Sequence, residues 1–124
     1  VSYDVYLRGE RCATCGVHSE PHLPDPTYNL TPIFDLALTD EPMPAVGEKP
    51  GRETGLRLLS GKKGAETVDR LRLALVRLSD PARAESFRAL EPPNKWGTLE
   101  GAITVMTALR DAATEYPTHT WEIT

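Results

Sequence analysis

The residues best equipped for chemistry lie in three short stretches. These are Thr27-Tyr28-Asn29-Leu30-Thr31-Pro32, Gly55-Leu56-Arg57-Leu58-Leu59-Ser60-Gly61-Lys62-Lys63-Gly64 and Pro92-Pro93-Asn94-Lys95-Trp96-Gly97-Thr98. Each puts aromatic rings, amide edges, hydroxyls or fixed positive charges at an element boundary. Tyr28 and Trp96 can stack on a nucleobase, an interaction of ~1–3 kcal/mol per base. Asn29 and Asn94 can read a base edge or a ribose hydroxyl, and Thr31 and Ser60 supply hydroxyls beside them. Arg57, Lys62 and Lys63 can hold phosphate. The run Ser60–Gly64 leads into a helix, where free N–H groups and the positive dipole end favour an anion. It lacks the Gly-x4-Gly-Lys-Ser/Thr spacing of a nucleoside-triphosphate loop. Every one of these residues has a plainer reading. The rings can be core or lid residues with a satisfied polar tip, the asparagines turn formers, and the lysine pair a solvated basic turn. The ligand reading gains from three such loops in one short chain.

A fourth feature is Cys12-Ala13-Thr14-Cys15-Gly16, a knuckle that can aim two thiolates at one Zn²⁺. His18 and His22 complete a C-x2-C-x2-H-x3-H set. That set is much tighter than a usual zinc finger, in which a dozen or so residues separate the pairs. A closed site this short is strained unless it is shared across an oligomer interface. The other reading is a metal-free knuckle with reduced thiols. A thioredoxin-like role finds no βαβ context around the pair. His119 stands alone on an expected strand and reads as a half-buried or surface histidine. Neither a Ser–His–Asp set nor an H-E-x-x-H motif is present, so the residues point to a binder rather than an enzyme.

These side chains must be positioned by one domain, since 124 residues support one core and not two. Aromatic residues make up only 6%, so that core is aliphatic. A net charge of −4 argues against general nucleic-acid binding, which needs a basic surface for counterion release. No apolar run approaches the ~18 residues of a membrane span. Val1-Ser2-Tyr3-Asp4 lacks the basic-then-apolar plan of a signal peptide. With cysteines too close for a comfortable bridge, the expectation is a cytoplasmic protein.

Residues 2–8 alternate as a strand does, and 118–124 do so again around Thr120, Trp121, Glu122 and Ile123. Residues 10–26 read as a knuckle loop and 27–30 as a short strand. Thr31-Pro32 reads as the cap and first turn of a short helix. Residues 39–54 read as a flexible surface loop. Val68, Leu71, Leu75 and Leu78 predict a helix over 64–78. Asp80-Pro81 starts another to about Leu90. Leu99, Ala102, Ile103, Met106, Leu109 and Ala113 predict a third over 98–116, stopped by Pro117. The expectation is an α+β domain over 1–124: a small antiparallel sheet including the terminal strands, packed by three to four helices, with an N-terminal Cys-x-x-Cys knuckle loop.

On Thr27–Pro32, on Gly55-Leu56-Arg57 with Ser60-Gly61-Lys62, and on Pro92–Gly97 with Glu100-Gly101, the chain resembles a group of small proteins found in bacteriophage genomes. The pattern spans about residues 1 to 124 and takes in the Cys-x-x-Cys and the Trp-Glu-Ile near the end. Asn-Gly-Trp-Gly is usual in that group, and Lys95 stands here in place of the Gly. Small phage proteins of this kind are often counter-defence factors. One class resembles signal sponges, compact oligomers that sequester nucleotide-derived immune messengers such as cyclic ADP-ribose relatives. A core limited by size, with binding loops at helix starts where a neighbour could close a pocket, leads to the expectation of a closed assembly, most simply a dimer. By analogy of genome setting and pocket chemistry, the resemblance also implies a homo-oligomer in the host cytoplasm. It would hold such a messenger without catalysis, through Tyr28, Asn29, Thr31, Arg57, Ser60, Lys62, Lys63, Asn94 and Trp96. One alternative is a zinc-knuckle protein that binds and inhibits a host protein, with Cys12 and Cys15 mattering more than Arg57. A second is a nucleotide-cleaving phosphodiesterase, for which the sequence offers neither a general base nor a metal cluster.

Overall fold

The two ends of the chain pair with each other. In a computed structural model describing residues 2–9, 13–14, 21–41, 53–93 and 97–124, strands β1 (Val5–Arg8) and β2 (Thr120–Ile123) run antiparallel. Val5 lies opposite Ile123, and Leu7 opposite Trp121. The period-2 alternation decides the faces: Val5, Leu7, Trp121 and Ile123 are buried, while Tyr6 and Glu122 face out. Arg8 closes the outer face with a 2.7 Å ion pair to Glu122. The other edge of β2 is covered by residues 61–63. Trp121 N donates to Lys62 O, Gly61 N donates to Trp121 O, and Lys63 bridges Thr120.

Among the described residues four helices pack on this ribbon: α1 (Thr31–Thr39), α2 (Gly64–Ser79), α3 (Ala84–Arg88) and α4 (Leu99–Glu115). The long pair α2 and α4 lie along each other, and α1 packs on α2. Leu71, Ala74, Leu75 and Leu78 of α2, with Leu99, Ala102, Met106, Leu109 and Ala113 of α4, enter one hydrophobic core that also holds the aromatic rings of Trp121, Phe34 and Phe87. Thr98 caps α4, its Oγ1 accepting from Gly101 N at 3.0 Å. Among the described residues no helix is long and apolar enough to cross a membrane.

Several expectations are corrected in detail. Tyr28–Leu30 is a 3₁₀ turn rather than a strand, because Thr27 Oγ1 accepts from Asn29 N and winds the chain. Thr31 is the first residue of α1 rather than its cap, and its hydroxyl is engaged elsewhere. Asp80 caps a short 3₁₀ turn, Pro81–Arg83, which precedes α3, and α3 ends at Arg88, two residues before Leu90. The first strand is shorter than 2–8, although Ser2 bridges Thr27. Val68 and Ile103, expected in the core, are half-buried at its margin. Most of the 39–54 loop and most of the 10–20 part of the knuckle lie outside the described residues.

Candidate functional site

The site grows from Tyr3, which continues the inward alternation of β1 two residues before Val5. Its ring is buried, and its Oη lies 2.5 Å from Thr31 Oγ1 at the start of α1. Gly55 passes directly over this hydroxyl pair. Its φ of +58° suits glycine, and a Cβ there would stand 2.5 Å from Tyr3 Oη and 2.9 Å from Thr31 Cγ2. The amide of Gly55 donates to Oδ1 of Asp35, a fully buried carboxylate on α1, at 2.9 Å. This bond fixes where the 3₁₀ segment Gly55–Leu59 begins, and so where Arg57 emerges.

Arg57 is exposed, and its guanidinium sits over two rings. Cζ is 5.4 Å from the centroid of Tyr28 and 5.9 Å from that of Tyr3. Its Nη2 is 3.5 Å from Tyr28 Oη, at the long limit for a hydrogen bond. The two tyrosines meet edge to face, with centroids 4.5 Å apart. Burial pushes the Tyr3 phenol above its ordinary range. The Thr31 bond and the Arg57 charge pull the other way without cancelling it. Arg57 has no carboxylate partner among the described residues, whereas Arg8, Arg72, Arg83, Arg88 and Arg110 all do.

The residues singled out from the sequence fall into groups. Tyr28, Thr31 and Arg57 come together. Asn29 is half-buried beside Tyr28, and its side chain is bonded to no described residue. Gly97 closes in from the third loop: a Cβ on it would lie 2.7 Å from Leu30 Cδ2. That brings the end of the Pro92–Thr98 stretch against the 3₁₀ turn that carries Tyr28. Asn94 and Trp96 lie outside the described residues, as do Cys12, Cys15 and His18. His22 is described and exposed. Among the described residues there is no group of three or more His, Cys, Asp and Glu side chains able to hold a metal ion.

The anion cradle expected at Ser60–Gly64 is corrected. Its amides already have partners: Ser60 N donates to Arg57 O, Gly61 N to Trp121 O, Lys62 N to Leu59 O, Gly64 N to His119 O and Ala65 N to Pro117 O. Glu66 Oε1 accepts from Lys63 N. Ser60 Oγ accepts from Ile123 N. The positive end of α2 is turned to the carboxyl end of α4. A Cβ on Gly64 would lie 2.6 Å from Tyr116 O and 3.0 Å from Ala113 O, so the two helix ends meet backbone to backbone. What remains on this loop for a ligand is the exposed ammonium groups of Lys62 and Lys63.

Sequence reasoning missed Tyr3 and Asp35. Tyr3 had a signal, since strand alternation places it on the inward face with Val5 and Leu7. Asp35 had none, because a single carboxylate in a short helix reads as solvated. The sequence also gave no sign of an open concavity of about 510 Å³ between α2 and α4, lined by Val68, Arg72, Arg110, Asp111, Thr114 and Glu115. None of the expected ligand residues lies in it. His119 packs over Gly9 and beside Tyr116, with ring centroids 4.8 Å apart.

The chain matches no protein-family model, no curated protein and no solved structure.

Proposed function

We propose that this chain binds a small anionic ligand of the nucleotide class at the Tyr3–Tyr28–Arg57 cluster and holds it without chemical change. This is the behaviour of a phage counter-defence protein that sequesters a nucleotide-derived immune signal in the host cytoplasm. The observation that carries the reading is Arg57: an exposed guanidinium, without a carboxylate partner among the described residues, held over a tyrosine pair. A planar guanidinium can take a phosphate by two parallel hydrogen bonds while its face stacks on a ring. Tyr28 anchors that plane, Asn29 offers beside it an amide bonded to no described residue, and the exposed Lys62 and Lys63 add positive charge.

The direct test is titration calorimetry with ADP-ribose and its cyclic relatives on the wild type and on Arg57→Ala, followed by chromatography of the recovered ligand. Binding that disappears in the variant, with the ligand returned intact, is the expected result. Equal affinity in both proteins defeats the role of Arg57, and a cleaved ligand defeats the non-catalytic reading.

A further inference from the structure

Helix α2 carries a second stripe, on the side away from the core. Ala65, Val68, Asp69, Arg72, Leu73 and Val76 recur at helical spacing, and all but half-buried Val68 are exposed. Among the described residues, three large hydrophobic side chains are exposed. Two of them lie here, with Leu73 at 53% and Val76 at 67%. The concavity between α2 and α4 borders the stripe and shares Val68 and Arg72 with it. An apolar strip interrupted by one acid and one base is unlike the ordinary polar back of a surface helix.

The charges select a partner. Asp69 and Arg72 are three residues apart and loosely paired within the helix at 3.9 Å, with both side chains largely exposed. If a second copy of α2 is laid antiparallel on the first, with a two-fold axis between positions 69 and 72, each Asp69 meets the partner's Arg72. In the same register Val76 comes opposite the partner's Ala65, and Leu73 and Val68 flank the seam. The stripe is thus complementary to itself in charge and in apolar content, as a two-fold interface requires. Helix α2 is only about 24 Å long. One helix pair therefore falls short of the ~800 Å² per partner of a standard interface. The edge of α4 at Arg110, Asp111 and Glu115 must contribute to the contact.

We infer that the α2 stripe is a homodimer face, with a second copy of this chain docked antiparallel across Asp69 and Arg72. The face lies on α2 and α4, whereas the ligand cluster lies on the segment leading into β1, the 3₁₀ segments and the start of α1. Dimerisation is therefore tested apart from ligand binding.

The test is sedimentation equilibrium over a range of concentrations, with circular dichroism confirming the fold of each protein. The wild type should show a monomer–dimer equilibrium. Asp69→Arg alone and Arg72→Asp alone should each weaken it about tenfold or more, because each sets like charges together at the axis. Mixed in equal amounts, the two variants should form a heterodimer, since the chain with two bases then faces the chain with two acids. Leu73→Asp should abolish dimers without this rescue by mixing. A wild type that stays monomeric at the highest concentration overturns the proposal and leaves the stripe to a different protein. Variants that dimerise as well as the wild type, or that fail to associate on mixing, overturn the register.

Discussion

Trp121 Nε1 donates to Thr67 Oγ1 at 2.9 Å in the middle of the core, and Thr67 Oγ1 in turn donates to Gly64 O. Both residues are buried. This relay ties the C-terminal strand to the first turn of α2, at the point where the carbonyls of Pro117 and His119 also receive the amides of Ala65 and Gly64. Thr67→Val keeps the volume and leaves the indole N–H buried without an acceptor. A buried unsatisfied donor costs about 1–3 kcal/mol. Urea denaturation should show a loss in that range with an unchanged slope. Thr67→Ser, which keeps the acceptor, should recover most of it.

Gly55 should tolerate no side chain. Gly55→Ala meets a left-handed backbone, which costs about 1–2 kcal/mol, together with the contact on Tyr3 Oη. Tyr3→Phe removes the nearer of the two atoms struck and leaves Thr31 Cγ2. A double-mutant cycle by denaturation should therefore show coupling: Gly55→Ala should cost less in the Tyr3→Phe background, but still about 1 kcal/mol or more from the backbone alone. Strict additivity would mean that the loop moves aside and that Tyr3 does not position it.

Stability should fall on the alkaline side because of Tyr3. Its phenol has a raised pKa in the folded protein, chiefly through burial. Between the ordinary phenol value of about 10 and the higher folded value, the folded state holds a proton that the unfolded state has released. The stabilisation is complete below about pH 10 and is lost as pH rises through the folded value. Tyr3→Phe has no proton to lose. Its stability, measured by urea midpoints from neutral to strongly alkaline pH, should decline less steeply above about pH 10 than that of the wild type.

On the acid side the exposed pairs act in the opposite sense. The Arg83 guanidinium, bonded to Asp40 at 2.5 Å, holds that carboxyl below its ordinary range, and Arg88 does the same for Glu100. The contribution of each is present above the ordinary carboxylate range and is lost as pH falls through the lowered folded value. Both pairs are exposed, so the effect should be small and should fade with added salt. Arg83→Gln should shift the Asp40 carboxyl signal, followed by carbon NMR during an acid titration, upward toward its ordinary position.

The legible part of this fold is the part fixed by periodicity. The apolar rows of α2 and α4 and the alternation of the two terminal strands are local patterns, and their pairing follows from one core needing both ends. The illegible part depends on partners distant in sequence. Nothing in Ser60–Gly64 announces that its amides meet the carbonyls of residues 119 and 121, so a segment with the look of an anion loop serves as an edge of the sheet. Tyr28–Leu30 has strand-like composition, but Thr27 winds it locally. Within the candidate site, Arg57 and Tyr28 were legible by residue type. The buried Asp35 and the Gly55 crossing that aim them were not, since both arise from packing between Tyr3, α1 and the 55–59 segment.

Arg57 separates function from stability most sharply. It is exposed, and its contact with the tyrosines is a surface cation–π interaction of about 0.5–1 kcal/mol. Arg57→Ala should therefore lower the unfolding free energy by no more than that. If the proposed site is correct, the same change should remove most affinity for an ADP-ribose-type ligand, because the bidentate contact and the stacking plane are lost together. Arg57→Lys keeps the charge and discards both the fork and the plane, so it should bind measurably but more weakly than the wild type. Lys62→Ala and Lys63→Ala, at exposed lysines with no ion pair among the described residues, should mainly flatten the salt dependence of binding. Calorimetry at two ionic strengths distinguishes these outcomes. An Arg57→Lys protein with wild-type affinity would reduce Arg57 to a point charge and remove the stacked-plane reading of the site.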